Sequence, residues 1–311
     1  MKGIREIRAE LETIFKDPTN TKVYLGFGDS QNRVYRVADF DDEATKEVSA
    51  QFSDGLKSFI SDSALQTRPL SSLDSRTDTI YQYDLDDKPA EFQALTNLAN
   101  GTEPPVYSFK ELDFSGLRTI VIKISTTKKS VLFVKQFFPV SLVKRDQLML
   151  VMKDDKRFTT INQDIIRITN GFEVMLLDGD FFVTDVNKLE RAFGFDKVTA
   201  RQKTIVVEAI LRLDYIEDTG GHIASLDVSK RDLLRAKNSP VFSLSKEIVL
   251  AFVEGKAKTL GLKIVSGKIQ LKSRASVARF VKLLNDDYLT SELTHIYYEA
   301  AAKDKLVAVA A

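Results

Sequence analysis

Cysteine and tryptophan are absent from the 311 residues, and histidine occurs only as His222 and His295. Without cysteine, disulfides, cysteine-ligated zinc, iron–sulfur clusters and thiol catalysis are excluded from this chain. Two histidines this far apart argue against a histidine-rich metal site, although a one-histidine triad stays open in principle. His222 follows two glycines in TGGHIAS, where a surface role is the default, and His295 in ELTHIYYEA reads as a helix-packing residue. No run approaches the ~18 consecutive apolar residues of a membrane-crossing helix. The N-terminal MKGIREIRAELETIFKDP alternates charged and apolar residues, unlike the unbroken apolar centre of a signal peptide.

What is present is ordinary in total and uneven in distribution. Apolar residues make up 43% and charged residues 29%, values of a globular chain, and the formal net charge is +1. Residues 1–115 nevertheless carry 13 basic and 21 acidic side chains, and residues 116–311 carry 32 and 23. Two windows hold no acid at all: 116–145, with seven basic residues, and 255–285, with eight. Such segregation points to a polyanionic partner for the second part, against the plainer reading of lysines as solvated surface. The expected organisation is therefore an acidic α+β region over 1–115, packing separately, and a basic region over 116–311. The basic region divides into a sheet at 116–186 and helices at 187–311.

Hydrophobic periodicity supports an α+β fold, an antiparallel meandering sheet followed by a helical C-terminal region. Ile4, Ile7, Leu11, Ile14 and Phe15 fall at helical spacing, and Asp17-Pro18 ends that helix. KVYLGFGDSQNRVYRVADF reads as two strands around the turn GDSQN; its GFG lacks the second-half glycine and the lysine of a Walker loop. DDEATKEVSAQFSDGLKSFI predicts a helix with acidic residues at its start, 61–79 a loop ahead of the strand TIYQYDLDD, and ANGTEPP a break. From Arg118, RTIVIKIS and VLFVKQFF form a hairpin tipped by TTKKS. LMLVMKDDKRFTTI turns at DDKR, and IIRITNGFEVMLLDGDFFVTD carries NG and DGD turns. Helices are predicted over NKLERAFGF, TARQKTIVVEAILRLDYI, VSKRDLLRAKNSP with Ser229 as cap, and SKEIVLAFVEGKAKTLG between Ser245 and Gly261. A small hairpin at KIVSGKIQL and a last helix in SRASVARFVKLLNDDYL follow.

The second acid-free window thus predicts a helix–hairpin–helix unit. In its last helix Val277, Phe280, Val281 and Leu284 form one apolar stripe, with Arg279 and Lys282 opposite. Lys256 and Lys258 close the preceding helix, Lys263 and Lys268 flank the hairpin, and Lys272 and Arg274 open the last helix. These eight residues, with Lys128 and Lys129 at the earlier hairpin tip, are the candidate contacts to a DNA phosphate backbone. That surface needs no base-reading side chain.

Rival readings are weaker. Glu254 and Lys256 match the E-x-K pair of Mg²⁺-dependent restriction-type nucleases, with Asp227 or Asp232 as upstream acid, if EIVLAFVEGK is a strand. Phe133, Phe137, Phe138, Phe172, Phe181, Phe182, Phe193 and Phe195 offer base-stacking platforms in principle, but alternating phenylalanines in strands are ordinarily core. A non-catalytic adaptor whose basic face meets anionic lipid or an acidic protein is the third. Catalytic residues, metal ligands and cofactors are not expected.

ITNGFEVMLLDGDFFVTDVNKLERAFGF, a hairpin with a phenylalanine-rich strand, a short helix and Phe-x-Phe, resembles the KwaB-like family of Kiwa anti-phage defence proteins. LLNDDYLTSELTHIYYEAAAKDKL resembles that family's C-terminal helical region, and the likeness spans about 120–305. It implies a cytoplasmic DNA-binding effector that acts against phage DNA replication or late expression. It further implies a homo-oligomer recruited to the inner face of the cell membrane by a small membrane-embedded, KwaA-like partner.

Overall fold

A computed structural model of the protein describes residues 1–303 except 75, 77, 102, 109, 111–113, 138–141, 144–149, 154–156, 161–164, 167, 169, 170 and 224–229. At 55, 56, 58–60, 142, 143, 150–153, 157–160, 165, 166 and 230 the description is of the backbone. In chain order the first half contains α1 (Ile4–Lys16), β1 (Asn20–Phe27), β2 (Val34–Val37), α2 (Asp42–Ser61), β3 (Gln66–Pro69), β4 (Thr79–Gln82), α3 (Ala90–Ala99), β5 (Leu117–Ser125) and β6 (Ser130–Gln136). Then come β7 (Leu142–Val143), β8 (Leu150–Lys153), β9 (Arg157–Thr160), β10 (Ile165–Ile166), β11 (Val174–Leu177), β12 (Asp180–Val183), α4 (Val186–Ala192) and α5 (Phe195–Leu211). The C-terminal part holds β13 (Ile216–Glu217), α6 (Lys230–Lys237), α7 (Lys246–Leu260), β14 (Lys263–Val265), β15 (Lys268–Gln270), α8 (Arg274–Leu284), β16 (Tyr288–Thr290) and β17 (Tyr297–Glu299).

The class is α+β, as the periodicity predicts. The main sheet runs β2-β1-β5-β6-β11-β12-β4-β3, with antiparallel pairing from β2 through to β4. Its β5–β6 hairpin pairs Ser125 with Ser130 around the predicted TTKK tip, closed by backbone N–H groups of Lys128 and Lys129 donating to Thr126 Oγ1. The β11–β12 turn at Asp178-Gly179 has positive φ at both residues (52° and 82°), the two-residue geometry that glycine and aspartate tolerate. Helices pack on both faces. Ile7, Leu11 and Ile14 of α1 join Ile120, Ile122, Ile124, Phe133 and Phe182 in one core, whereas Phe181 stacks on Phe92 of α3 with centroids 3.9 Å apart. Two-sided burial explains why β5 and β6 read as nearly continuous apolar runs.

Several expectations change. The acidic residues 1–115 do not pack apart from 116–186. β1 pairs with β5 over Asn20 to Phe27, and the N-terminal part supplies the outer strands at both edges, β2-β1 and β4-β3, around four central strands from the basic part. Net charge describes side chains at the surface, whereas strand pairing joins backbone groups and apolar faces. The chain divides into two compact units elsewhere: Met1–Thr67, Thr79–Tyr83 and Lys88–Phe195 form one, and Arg68–Asp78, Asp84–Asp87 and Asp196–Ala311 the other. The 61–79 segment, expected to be loop, holds β3, and α3 is a further helix ahead of the ANGTEPP break, with Phe92, Leu95 and Leu98 on its buried face. The Asn-Gly step does not join paired strands, since β10 pairs with β7 and β11 with β6. Asn170 itself, Asp154 and Asp155 of the DDKR turn, the Ser229 cap, Asp227 and Phe138 lie outside the described residues.

In the second unit the C-terminal stretch expected to be helical contains the hairpin β16–β17. Its strand residues Tyr288-Leu289-Thr290 and Tyr297-Tyr298 are aromatic or β-branched in the main, and Asp286 and His295 take positive φ (57° and 56°), which no helix accommodates. His295 is therefore an exposed turn residue rather than a helix-packing one.

Candidate nucleic-acid interface

The helix–hairpin–helix unit forms as the sequence predicts. Ser245 stands at the N-cap of α7, and Gly261 ends that helix in the left-handed conformation (φ 61°), its N–H donating to Ala257 O. Ser266-Gly267, with φ 52° and 71°, closes the two-residue hairpin between β14 and β15. A capping box between Ser273 and Ser276 starts α8, whose Val277, Phe280, Val281 and Leu284 are all buried in the core of this unit. The hairpin continues into a three-stranded sheet in which β15 pairs in parallel with β13. Burial of one face of each element is what orients the basic side chains on the other.

These basic residues fall into two groups. Lys258, Lys263, Lys268 and Lys272 are exposed, and among the described residues none of them is paired with a carboxylate. Arg274 is exposed at the start of α8. The other three are engaged. Arg279 donates to Gly261 O at 3.1 Å, satisfying a terminal carbonyl of α7. Lys282 forms an ion pair with Glu299 at 2.5 Å, and Lys256 sits 3.7 Å above the ring of Tyr297. The window is free of acid along the chain but not in space, because β17 returns Glu299 to the face of α8. Nothing in the local pattern of 255–285 could have signalled that return.

Below this face lies a buried polar knot. Asp287 accepts from Arg235 and lies 3.5 Å from Lys303 Nζ, which also donates to Asn285 O at 2.7 Å. Burial pushes the Asp287 carboxyl above its ordinary range despite these two cations. The knot ties the end of α8 to α6 and the residues after β17. Its role is architectural: the buried Asp287 carboxylate is matched by two cations, Arg235 and Lys303.

Lys128 and Lys129 are exposed at the β5–β6 tip, in the first compact unit, so the sequence candidates divide between two units. The strand reading of Glu254-x-Lys256 is corrected: both residues lie inside α7, where a separation of two positions turns side chains about 200° apart. Asp232 is bonded to Arg235. Among the described residues no group of three or more histidine, aspartate and glutamate side chains is placed to hold a metal. The phenylalanines are core: Phe133, Phe137, Phe181, Phe182, Phe193 and Phe195 are buried and Phe172 is partly so.

Among the described residues, no helix is long and apolar enough to cross a membrane. No solved structure matches this chain. The Kiwa protein KwaB of Escherichia coli O55:H7 (strain RM12579 / EPEC) is 25% identical over 286 residues, covering 87% of this chain and 90% of its own. The Kiwa protein KwaB-like family model matches residues 115–294, a span running from the central strands of the main sheet through the helix–hairpin–helix unit. The chain belongs to the Kiwa protein KwaB-like family, and with it to Kiwa anti-phage defence.

Proposed function

We propose that this protein is a non-catalytic, sequence-nonspecific DNA-binding effector of a Kiwa system. It acts as an oligomer held at the inner face of the membrane by a membrane-embedded KwaA-like partner and blocks phage DNA replication or late expression. The observation that carries the DNA reading is the set of four exposed lysines, Lys258, Lys263, Lys268 and Lys272. They lie on a helix end, a hairpin and the approach to a helix whose buried apolar residues join one core. Ammonium groups on mobile stems neutralise phosphates without fixing sequence. Four phosphate contacts give a log–log salt slope of about −3.6, or roughly a hundredfold loss of affinity between 50 and 200 mM salt.

Salt-titrated binding to duplexes of unrelated sequence tests this reading. Equal affinities with the steep slope support it. Affinity indifferent to salt, or strong preference for one site, overturns it. Incubation with supercoiled and linear DNA, with and without Mg²⁺, tests the absence of catalysis: intact DNA is expected in every lane, and Mg²⁺-dependent cutting refutes that part.

A further inference from the structure

The turn GDSQN after β1, which lacks the residues of a Walker loop, lines a pocket of about 420 Å³ in the first unit. Its lining includes Gly28, Asp29 and Ser30 of that turn, Arg33, Arg118 of β5 and Arg191 near the end of α4. Gly28 takes φ 86°, so the chain turns there in a conformation that favours glycine, and its carbonyl accepts from Arg33 Nη1.

The three arginines differ in what holds them. The Arg33 side chain is buried and donates from Nε and Nη2 to the two oxygens of buried Glu91, at 3.1 and 3.3 Å, and from Nη2 to Ala192 O. Its charge is matched. Arg118 is exposed and its Nη1 donates to the neutral carbonyls of Ser115 and Leu117, each at 2.8 Å, which orient the guanidinium without cancelling its charge. Arg191 is exposed and, among the described residues, neither it nor Arg118 is paired with a carboxylate. The one acid in the lining, Asp29, accepts the N–H groups of Gln31 and Asn32 at 2.8 and 3.0 Å. Glu173, next to Gln136 of the lining, is buried, accepts that residue's N–H and is paired with Lys188 at 2.8 Å. The pocket therefore presents two guanidinium groups with no carboxylate partner among the described residues, the Ser30 hydroxyl, and one carboxylate, Asp29, turned to the N–H groups of its own turn.

We propose that this pocket binds a small phosphorylated molecule, of nucleotide size, through Arg118 and Arg191. Two planar guanidinium forks match phosphate oxygens, which they grip bidentately where a lysine offers only a point charge. The volume lies in the range of small-molecule sites, and a bare phosphate would leave most of it empty. Its lining residues belong to the first unit and the four exposed lysines to the second.

Isothermal titration of the full chain with ATP, AMP and pyrophosphate at constant ionic strength, beside thermal melts, tests the assignment. Saturable heat and a raised melting temperature are expected with ATP. Arg118→Gln/Arg191→Gln should weaken ATP by at least about tenfold while its ligand-free melt matches the parent. Arg118→Lys/Arg191→Lys, which keeps the charge and removes the forks, should also weaken it and serves if the glutamine pair misfolds. Lys258→Glu/Lys263→Glu/Lys268→Glu/Lys272→Glu should leave ATP binding intact. No heat or melting shift beyond that of chloride overturns the proposal, as does unchanged binding in both arginine variants. DNA affinity lost in the arginine variants with no nucleotide binding by the parent likewise overturns it, making the pocket part of a polynucleotide track.

Discussion

The two acid-free windows look alike in sequence and do different things in the fold. In 116–145 two of the cations, Lys123 and Lys135, are drawn into the structure of the main sheet, while Arg118, Lys128 and Lys129 are exposed. Lys123 donates to Leu98 O and Ala99 O at 2.9 Å each, capping the C-terminal end of α3, and Lys135 donates to Gly171 O. Burial lowers the pKa of both, with Lys22 adding to the effect at Lys123. These lysines donate to carbonyl oxygens, which accept hydrogen bonds without carrying a full charge, and the acids near them, Glu103 and Glu173, come from outside the window. In 255–285 four of the eight cations face outward with no carboxylate among the described residues, and there the lack of acid leaves a field that reaches into solvent. An acid-free window marks either lysines that solder a scaffold or lysines offered to a polyanion.

The sharpest way to break this contrast is charge reversal. Changing Lys258, Lys263, Lys268 and Lys272 to glutamate should lower DNA affinity more than about a hundredfold, as expected for losing four phosphate contacts, with the melting temperature little changed. Electrophoretic shifts and melts read both. Reversal of Lys128 and Lys129, at the tip of the other window, should cost DNA binding far less; an equal loss would show that both windows meet DNA.

Next in size is the buried pair of the first unit. Arg33→Met strands Glu91 in the core, with only Tyr35 OH at 2.7 Å and Thr119 Oγ1 at 3.5 Å left as donors to its carboxylate, and should destabilise by about 3–5 kcal/mol at neutral pH. Burial already holds the Glu91 carboxyl above its ordinary 4.5, outweighing Arg33. The native state therefore binds that proton more tightly than the unfolded chain, and stability present below about pH 4.5 is lost as pH rises through the higher folded pKa. Urea titrations of the variant should accordingly show a smaller deficit near pH 5 than at pH 7. A deficit that grows on acidification would contradict the sign.

Smaller still, Lys123→Met removes two hydrogen bonds to the α3 terminus and should cost about 1–2 kcal/mol, leaving DNA affinity unchanged. A drop in DNA affinity with unaltered stability would erase the distinction between the windows. The smallest effect belongs to the masked cation: Glu299→Gln releases Lys282 from its ion pair and should tighten DNA binding by about twofold to fivefold, the value of an exposed pair. Weaker binding would mean that Glu299 positions Lys282 rather than competing for it.

Local chemistry made much of this legible. The Ser273 cap, the Gly261 stop, the Ser-Gly and Asp-Gly turns and the apolar stripe of α8 all act within a few residues, and a sequence displays such signals directly; Ser245 takes the N-cap position of α7 without a side-chain capping bond. These signals predict the helix–hairpin–helix unit, and composition its surplus of charge. What the sequence did not display depends on partners distant along the chain. β1 pairs with β5 nearly a hundred positions later, which joined an acidic region to a basic one against the expectation drawn from charge. Tyr-Leu-Thr and Ile-Tyr-Tyr near the C-terminus admit helix or strand, and their mutual pairing as β16–β17 decided for strand and carried Glu299 back to Lys282. The Arg118 and Arg191 pocket likewise exists only because β5 and α4 approach the turn after β1. Caps, turns and periodicity are fixed by neighbours in sequence; which charges cancel and which stay exposed is fixed by backbone pairing and apolar burial, which take no account of charge until the fold has formed.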